Sequence, residues 1–235
     1  MDILLSLVIG IVNQMVIMLI AFKMFRFFTL PYLIDFLLIA FVLSLISYFN
    51  RLILDIPQYD AVIQCIVLVV FFRRMFEFRL YEATLVVAAG CAIFTCIKFV
   101  TLSLFFKTNI VSLDDLGHLT ELRMVLIQLL VDALVVAVTW LVVKLNTGYS
   151  FISQPPHSMT YKPKMNKLSI LLIFAVGLVV FVMATVSCVL SMSQANVYVV
   201  LAYVLIPLAI LLWLLRKKDY QSCEGLIAFK RENYN

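Results

Sequence analysis

The sequence predicts an all-α, polytopic transmembrane helix bundle of seven spans, with the N-terminus outside and the C-terminus cytoplasmic. Three observations lead there. Hydrophobic residues make up 65% of the 235, only 13% are charged, and mean hydropathy is +1.11; a soluble domain carries about a quarter charged residues. Apolar runs, each near the roughly 20 residues that cross about 30 Å of hydrocarbon, fill almost the whole chain. Lys and Arg fall in alternate loops, which is a topology signal.

The spans are expected at Ile3–Phe22, Tyr32–Phe49, Pro57–Phe72, Ala83–Phe106, Leu122–Val143, Leu168–Leu190 and Val197–Leu215. The first has no charged segment ahead of it and no small-residue cleavage site, so it reads as a span rather than a signal peptide. The third is the shortest. Asp55 and Pro57 give it a start, because an acid suits a helix N-terminus and proline a first turn. Residues 1–215 thus form the membrane domain and 216–235 a short basic cytoplasmic tail, too short for a catalytic domain but long enough for a juxtamembrane helix.

Charge placement sets the orientation. Lys23 and Arg26, then Arg73, Arg74 and Arg79, then Lys144, Lys162, Lys164 and Lys167, and finally Arg216, Lys217, Lys218, Lys230 and Arg231 share one side. The other side holds Arg51 and Lys107, with Arg123 at the mouth of span five. The rich side is cytoplasmic, and the net charge of +5 reflects topology rather than nucleic-acid binding. Asn146–Lys167, with Gly148, Pro155, Pro156 and Pro163, reads as an irregular loop. In the opposite loop, Ser112 to Asp115 resembles a capping box for a short surface helix near Leu113–Leu119.

Two charges lie deep in apolar runs: Lys98 in span four and Asp132 in span five. Each costs several kcal/mol unless it has a partner, a polar cavity or a function. Counted at 1.5 Å per residue, they lie roughly 12 and 15 Å below the outer ends of consecutive antiparallel spans, so either the two meet as an ion pair or Lys98 snorkels outward while Asp132 finds hydroxyl or backbone partners. Asn13, Gln14, Gln64 and Gln128 fall in the same outer half, and Gln128 shares a helix face with Asp132. This layer is either packing glue between helices or the lining of an outward-facing cavity. Asp114, Asp115, His118, Glu121 and Arg123 form an external charged lip, read as a solvated loop or as the entry to the cavity. Asp35, near a helix start, is favoured by the macrodipole, could meet Lys23 or Arg26 and reads as structural, and Ser44, Ser47, Thr95, Thr101 and Ser103 read as packing hydroxyls.

Enzyme and cofactor signatures are missing. The chain has no H-E-x-x-H, G-x-S-x-G, P-loop or glycine-rich dinucleotide turn, and His118 and His157 fall on opposite sides of the predicted membrane. No cofactor or metal is expected. Cys65, Cys91, Cys96 and Cys188 lie in apolar runs and Cys223 in the tail, where they read as small hydrophobes rather than disulfide partners or metal ligands.

The short external N-terminus, the first span Ile3–Phe22 and the run Leu38–Leu52 ending in Ser-Tyr-Phe-Asn-Arg resemble the membrane sensor region of peptide-sensing histidine kinases of the accessory-gene-regulator and competence type. In that family a long cytoplasmic helix and a kinase domain follow the last span. No kinase domain lies within these 235 residues, so phosphotransfer is not expected of them. The expectation is a non-enzymatic protein of the bacterial cytoplasmic membrane. It would be a sensor-like or accessory subunit that binds a peptide or small-molecule ligand, or a partner, through its outer half. Coupling would run through a membrane or cytoplasmic protein partner, or a homo-oligomer. The alternative is a small transporter using the Lys98/Asp132 layer.

Overall fold

The computed structural model describes residues 2–54, 56, 59–107, 122–152, 167–190 and 197–232. These form helices α1 (Asp2–Met24), α2 (Leu33–Leu52), α3 (Asp60–Met75), α4 (Leu80–Lys107), α5 (Leu122–Lys144), α6 (Lys167–Leu190) and α7 (Val197–Glu232), with a 3₁₀ turn at Leu30–Tyr32. Six helices are long and apolar enough to cross a membrane. The exception is α3, whose 16 residues span about 24 Å.

Side-chain contacts show how the helices run. Gly10 of α1 faces Ser44 of α2, and Phe22 faces Phe36, so α2 runs antiparallel to α1. Gln14 meets Gln64 and Phe22 meets Phe72, so α3 is parallel to α1. Gly90 of α4 lies against Ala21, while the end of α5 reaches Arg26 through Asn146. Lys218 near the end of α7 bonds Tyr81 at the start of α4 and Ser169 at the start of α6. Successive helices therefore alternate in direction. One end of the bundle collects Lys23, Arg26, Arg73, Arg74, Arg79, Lys144, Lys167 and Arg216–Lys218, and is called the basic end below.

The core is densest near that basic end. Phe22, fully buried, makes edge-on ring contacts with Phe27, Tyr32, Phe36, Phe72, Phe76 and Phe78, with centroids between 4.7 and 6.2 Å. Each such pair adds about 0.5–1.5 kcal/mol to simple burial. Between helices in lipid, where burial from water no longer drives association, packing of this kind has to hold the bundle together. The central helix is α4, buried from Leu85 to Phe94. A Cβ at Gly90 would lie 2.6 Å from the Ala21 Cβ and 3.3 Å from the Ile17 carbonyl oxygen, so this glycine lets α1 and α4 touch backbone to backbone.

Three helices end at the basic end on residues with positive φ: Arg26 after α1, Glu77 after α3 and Asn146 after α5. Phe27 N–H donates to the Phe22 carbonyl and Arg26 N–H to that of Lys23; Thr147 and Asn146 repeat the pattern on Val142 and Val143. These paired bonds are Schellman closures, usually made with glycine. A side chain held there costs about 1–2 kcal/mol. Arg26 recovers part of that cost because its guanidinium donates to the Asn146 carbonyl at 2.6 Å, joining the two caps.

Several boundaries differ from expectation: α2 runs to Leu52 rather than Phe49, and α4 starts at Leu80 rather than Ala83. The third helix begins at Asp60 rather than Pro57 and runs to Met75 rather than Phe72. Its start is set by polar contacts from α2, and its end by Phe72 and Phe76 packing on Phe22. The expected tail at 216–235 does not begin as a separate element, because α7 continues unbroken through Pro207 to Glu232. At about 54 Å its 36 residues exceed a hydrocarbon core of about 30 Å.

Two substitutions test this packing. Phe22→Ala should cost about 3–5 kcal/mol and lower the thermal midpoint of the detergent-solubilised protein far more than Phe41→Ala on the exposed face of α2. Gly90→Val should abolish or sharply reduce folded yield, measured by size-exclusion chromatography.

Candidate functional site

At the end opposite the basic residues, the bundle interior turns polar. The last turn of α2 carries Ser47, Asn50 and Arg51, spaced three and four residues apart and hence on one helix face. All three donate to Asp60 in the first turn of α3: Ser47 Oγ at 2.7 Å, Asn50 Nδ2 at 3.3 Å and Arg51 Nε at 2.7 Å. Asp60 is 2% exposed and the Arg51 side chain 41%. A carboxylate this deep persists only when paired and hydrogen-bonded, and here both conditions are met. One turn further along α3, Gln64 accepts a hydrogen bond from the amide of Gln14 on α1. Ser44 on α2 donates to the Leu7 carbonyl at 2.9 Å.

Lys98 and Asp132 lie beside this network but do not form the expected ion pair. The reason is where α5 packs: it leans on α1 and touches α4 only slightly. The Lys98 side chain is exposed. Asp132 is the converse. It is 3% exposed, and neither carboxylate oxygen has a hydrogen-bond partner among the described residues. Gln128 lies one turn away, half-buried. Asn13 is also half-buried, with its Oδ1 unpartnered.

The six residues of the expected layer thus divide three ways. Gln14 and Gln64 bond each other, Lys98 is exposed, and Asp132 with Gln128 on α5 and Asn13 on α1 lie apart from both, the Asp132 oxygens and Asn13 Oδ1 unpartnered among the described residues. Of the expected lip, Asp114, Asp115, His118 and Glu121 lie outside the described residues, as does the Arg123 side chain. Asp35 is not joined to either expected partner: Lys23 Nζ donates to the Phe27 carbonyl at 3.5 Å, and Arg26 is bound to Asn146. Ser47 is more than a packing hydroxyl, whereas Thr101 and Ser103 bond back to their own helix as expected. Comparison with protein-family models, curated proteins and solved structures finds no match to this chain.

Sequence reasoning missed Asp60 and its three donors. The signal was there: Ser47, Asn50 and Arg51 close one helix, and Asp60 with Gln64 four residues on opens the next. It also missed a second cluster at the basic end. There Lys218 Nζ bonds the Tyr81 hydroxyl at 2.6 Å and Ser169 at 3.1 Å, and lies over the Phe151 ring. Ser150 donates to Asp219, and Tyr149 to the Leu212 carbonyl. Burial pushes the Tyr149 phenol above its usual range. These bonds tie the loop after α5 to α7. Cys65, Cys91 and Cys96 are buried free thiols. Among the described residues no group of His, Cys, Asp and Glu converges as metal ligands. A crevice beside Pro207, lined by Thr95, Met183 and apolar neighbours, holds about 10 Å³, room for roughly one water.

The two buried acids should respond oppositely to neutralisation. Asp60→Asn should destabilise by about 1.5–3 kcal/mol, the worth of hydrogen bonds to a charged group, and should be less than additive with Arg51→Gln. Asp132→Leu should leave the thermal midpoint unchanged or raise it, because it removes a buried group with no partner. Thermal unfolding of the two variants in one detergent checks both.

Proposed function

We propose that this chain is a non-enzymatic membrane subunit that crosses the bilayer seven times with its N-terminus outside. On this reading it binds a ligand or partner protein through its polar outer half. The carrying observation is Asp132: a carboxylate buried in a span and left without a partner costs too much to keep for packing alone. The orientation rests on the basic end facing the cytoplasm. Exposed Trp140 and Trp213 support a bilayer surface at that end, because Lys144 and Lys217 lie over their rings at 4.7 and 5.2 Å on helices running the same way. Such amphipathic pairs belong at a bilayer surface.

Coupling to a second protein would run through α4 and α7. Lys98 projects from α4, which packs along α7, and α7 continues beyond hydrocarbon length at the basic end. We take that extension as the counterpart of the long cytoplasmic helix in the peptide-sensing kinases whose sensor region the sequence resembles. The same Asp132 favours one other class, a small transporter that carries a proton or cation on this carboxylate.

Two measurements separate the classes. In the subunit reading, gentle-detergent purification brings down a defined partner protein, and capture is lost in Lys98→Met but not in Leu104→Ala on the same helix. Liposomes containing the chain alone then show no proton or solute flux. Flux abolished by Asp132→Asn would establish transport instead and overturn the subunit reading.

A further inference from the structure

One face of α7 stays open as the helix nears the basic end, and it changes character within a turn. Ile206, Ile210, Trp213, Lys217 and Tyr220 follow at steps of three and four residues, so they share one side of the helix. All five are exposed, Trp213 by 61% and Tyr220 by 60%, while Leu211, Leu214 and Leu215 turn inward and are buried. Arg216, also exposed, lies one turn from both Trp213 and Tyr220. The Lys217 Nζ stands 5.2 Å from the centre of the Trp213 ring, and the Arg216 guanidinium 5.9 Å from that of Tyr220. Neither cation makes an ion pair among the described residues. Asp219, the next acid along the chain, instead accepts two hydrogen bonds from Ser150. A ring face attracts an ammonium or guanidinium but leaves N–H groups free for a second partner.

We propose that this face of α7 binds a phospholipid with a negatively charged headgroup, of the phosphatidylglycerol class. The phosphate sits against Arg216 and Lys217, and an acyl chain lies along Trp213, Ile210 and Ile206. The lengths agree: Ile206 to Lys217 is eleven residues, roughly 16 Å, close to half of a hydrocarbon core of about 30 Å. Charge decides the lipid class. Each cation near a bilayer surface favours an anionic lipid roughly fivefold, and the Arg216 fork matches phosphate oxygens. A zwitterionic headgroup brings a cationic group of its own, which Arg216 and Lys217 repel. Lys218, next in the chain, turns inward to Tyr81 and Ser169. A lipid on one side and a hydrogen-bonded lysine on the other thus fix this turn of α7 at one height in the bilayer, whatever the outer half binds.

The test uses the full chain with exposed Trp140 replaced by Phe, which leaves Trp213 as its one tryptophan. The protein is placed in vesicles of phosphatidylcholine and phosphatidylglycerol, with one lipid or the other carrying brominated acyl chains. Bromine quenches indole fluorescence on contact, so quenching at equal mole fraction reads which lipid lies beside Trp213. The expected preference for phosphatidylglycerol is roughly 5- to 30-fold, the effect of one to two surface cations, and it falls to about 1 when Arg216→Gln and Lys217→Gln are combined. Lys217→Arg keeps it. So does the pair Arg73→Gln and Arg74→Gln, which removes as much exposed charge from the same end of the bundle. Equal quenching by the two lipids, with Arg216 and Lys217 intact, overturns the proposal. A preference that survives the loss of both cations overturns it too, as does one that disappears equally with Arg73 and Arg74, the mark of bulk surface charge.

Discussion

The bundle depends on one side chain having nowhere else to go. Phe22 ends α1 inside a ring of aromatics drawn from the α1–α2 connection, α2, α3 and the turn into α4. In a bilayer an apolar residue gains little by leaving lipid, so specificity has to come from shape and from quadrupole-matched ring contacts. The three positive-φ helix ends lie around the same region, and Gly148 packs so closely over the end of α1 that an added Cβ would lie 3.0 Å from the Met24 carbonyl oxygen. Rigid packing and helix capping are therefore concentrated at one end of the molecule.

The opposite end is built differently. Its contacts are hydrogen bonds from amides, hydroxyls and one guanidinium, and among the described residues it contains the buried Asp132 oxygens and Asn13 Oδ1, which have no hydrogen-bond partner. A polar network is stable only when every member finds a partner. The Asp60 cluster meets that condition and locks α2 to α3, whereas Asp132 and Asn13 do not.

The helices were legible because each signal is local. Hydropathy over twenty residues and the position of Lys and Arg in loops need no knowledge of neighbours, and α5 and α6 match their expected limits to within a residue. The third helix was misplaced because Pro57 is a strong local start signal, while the real start at Asp60 is decided by three donors on another helix. The unbroken course of α7 was hidden for a related reason: the change from apolar to basic residues at Arg216 marks a change of solvent, not the end of a helix.

The expected Lys98–Asp132 pair is the clearest case of sequence reasoning running out. Depth along each helix can be counted, and both charges do fall in the half of the bundle away from the basic end. Rotation about the helix axis and the choice of neighbour cannot be counted, and these decide whether two charges meet. By itself the sequence determined that this is a multi-helix membrane protein, which helices it has, and that unusual charges lie within them, because composition and periodicity act residue by residue. Only the tertiary structure decided that α5 packs on α1 instead of α4, leaving Lys98 open and Asp132 closed, because interhelical packing depends on the joint shape of surfaces far apart in the chain.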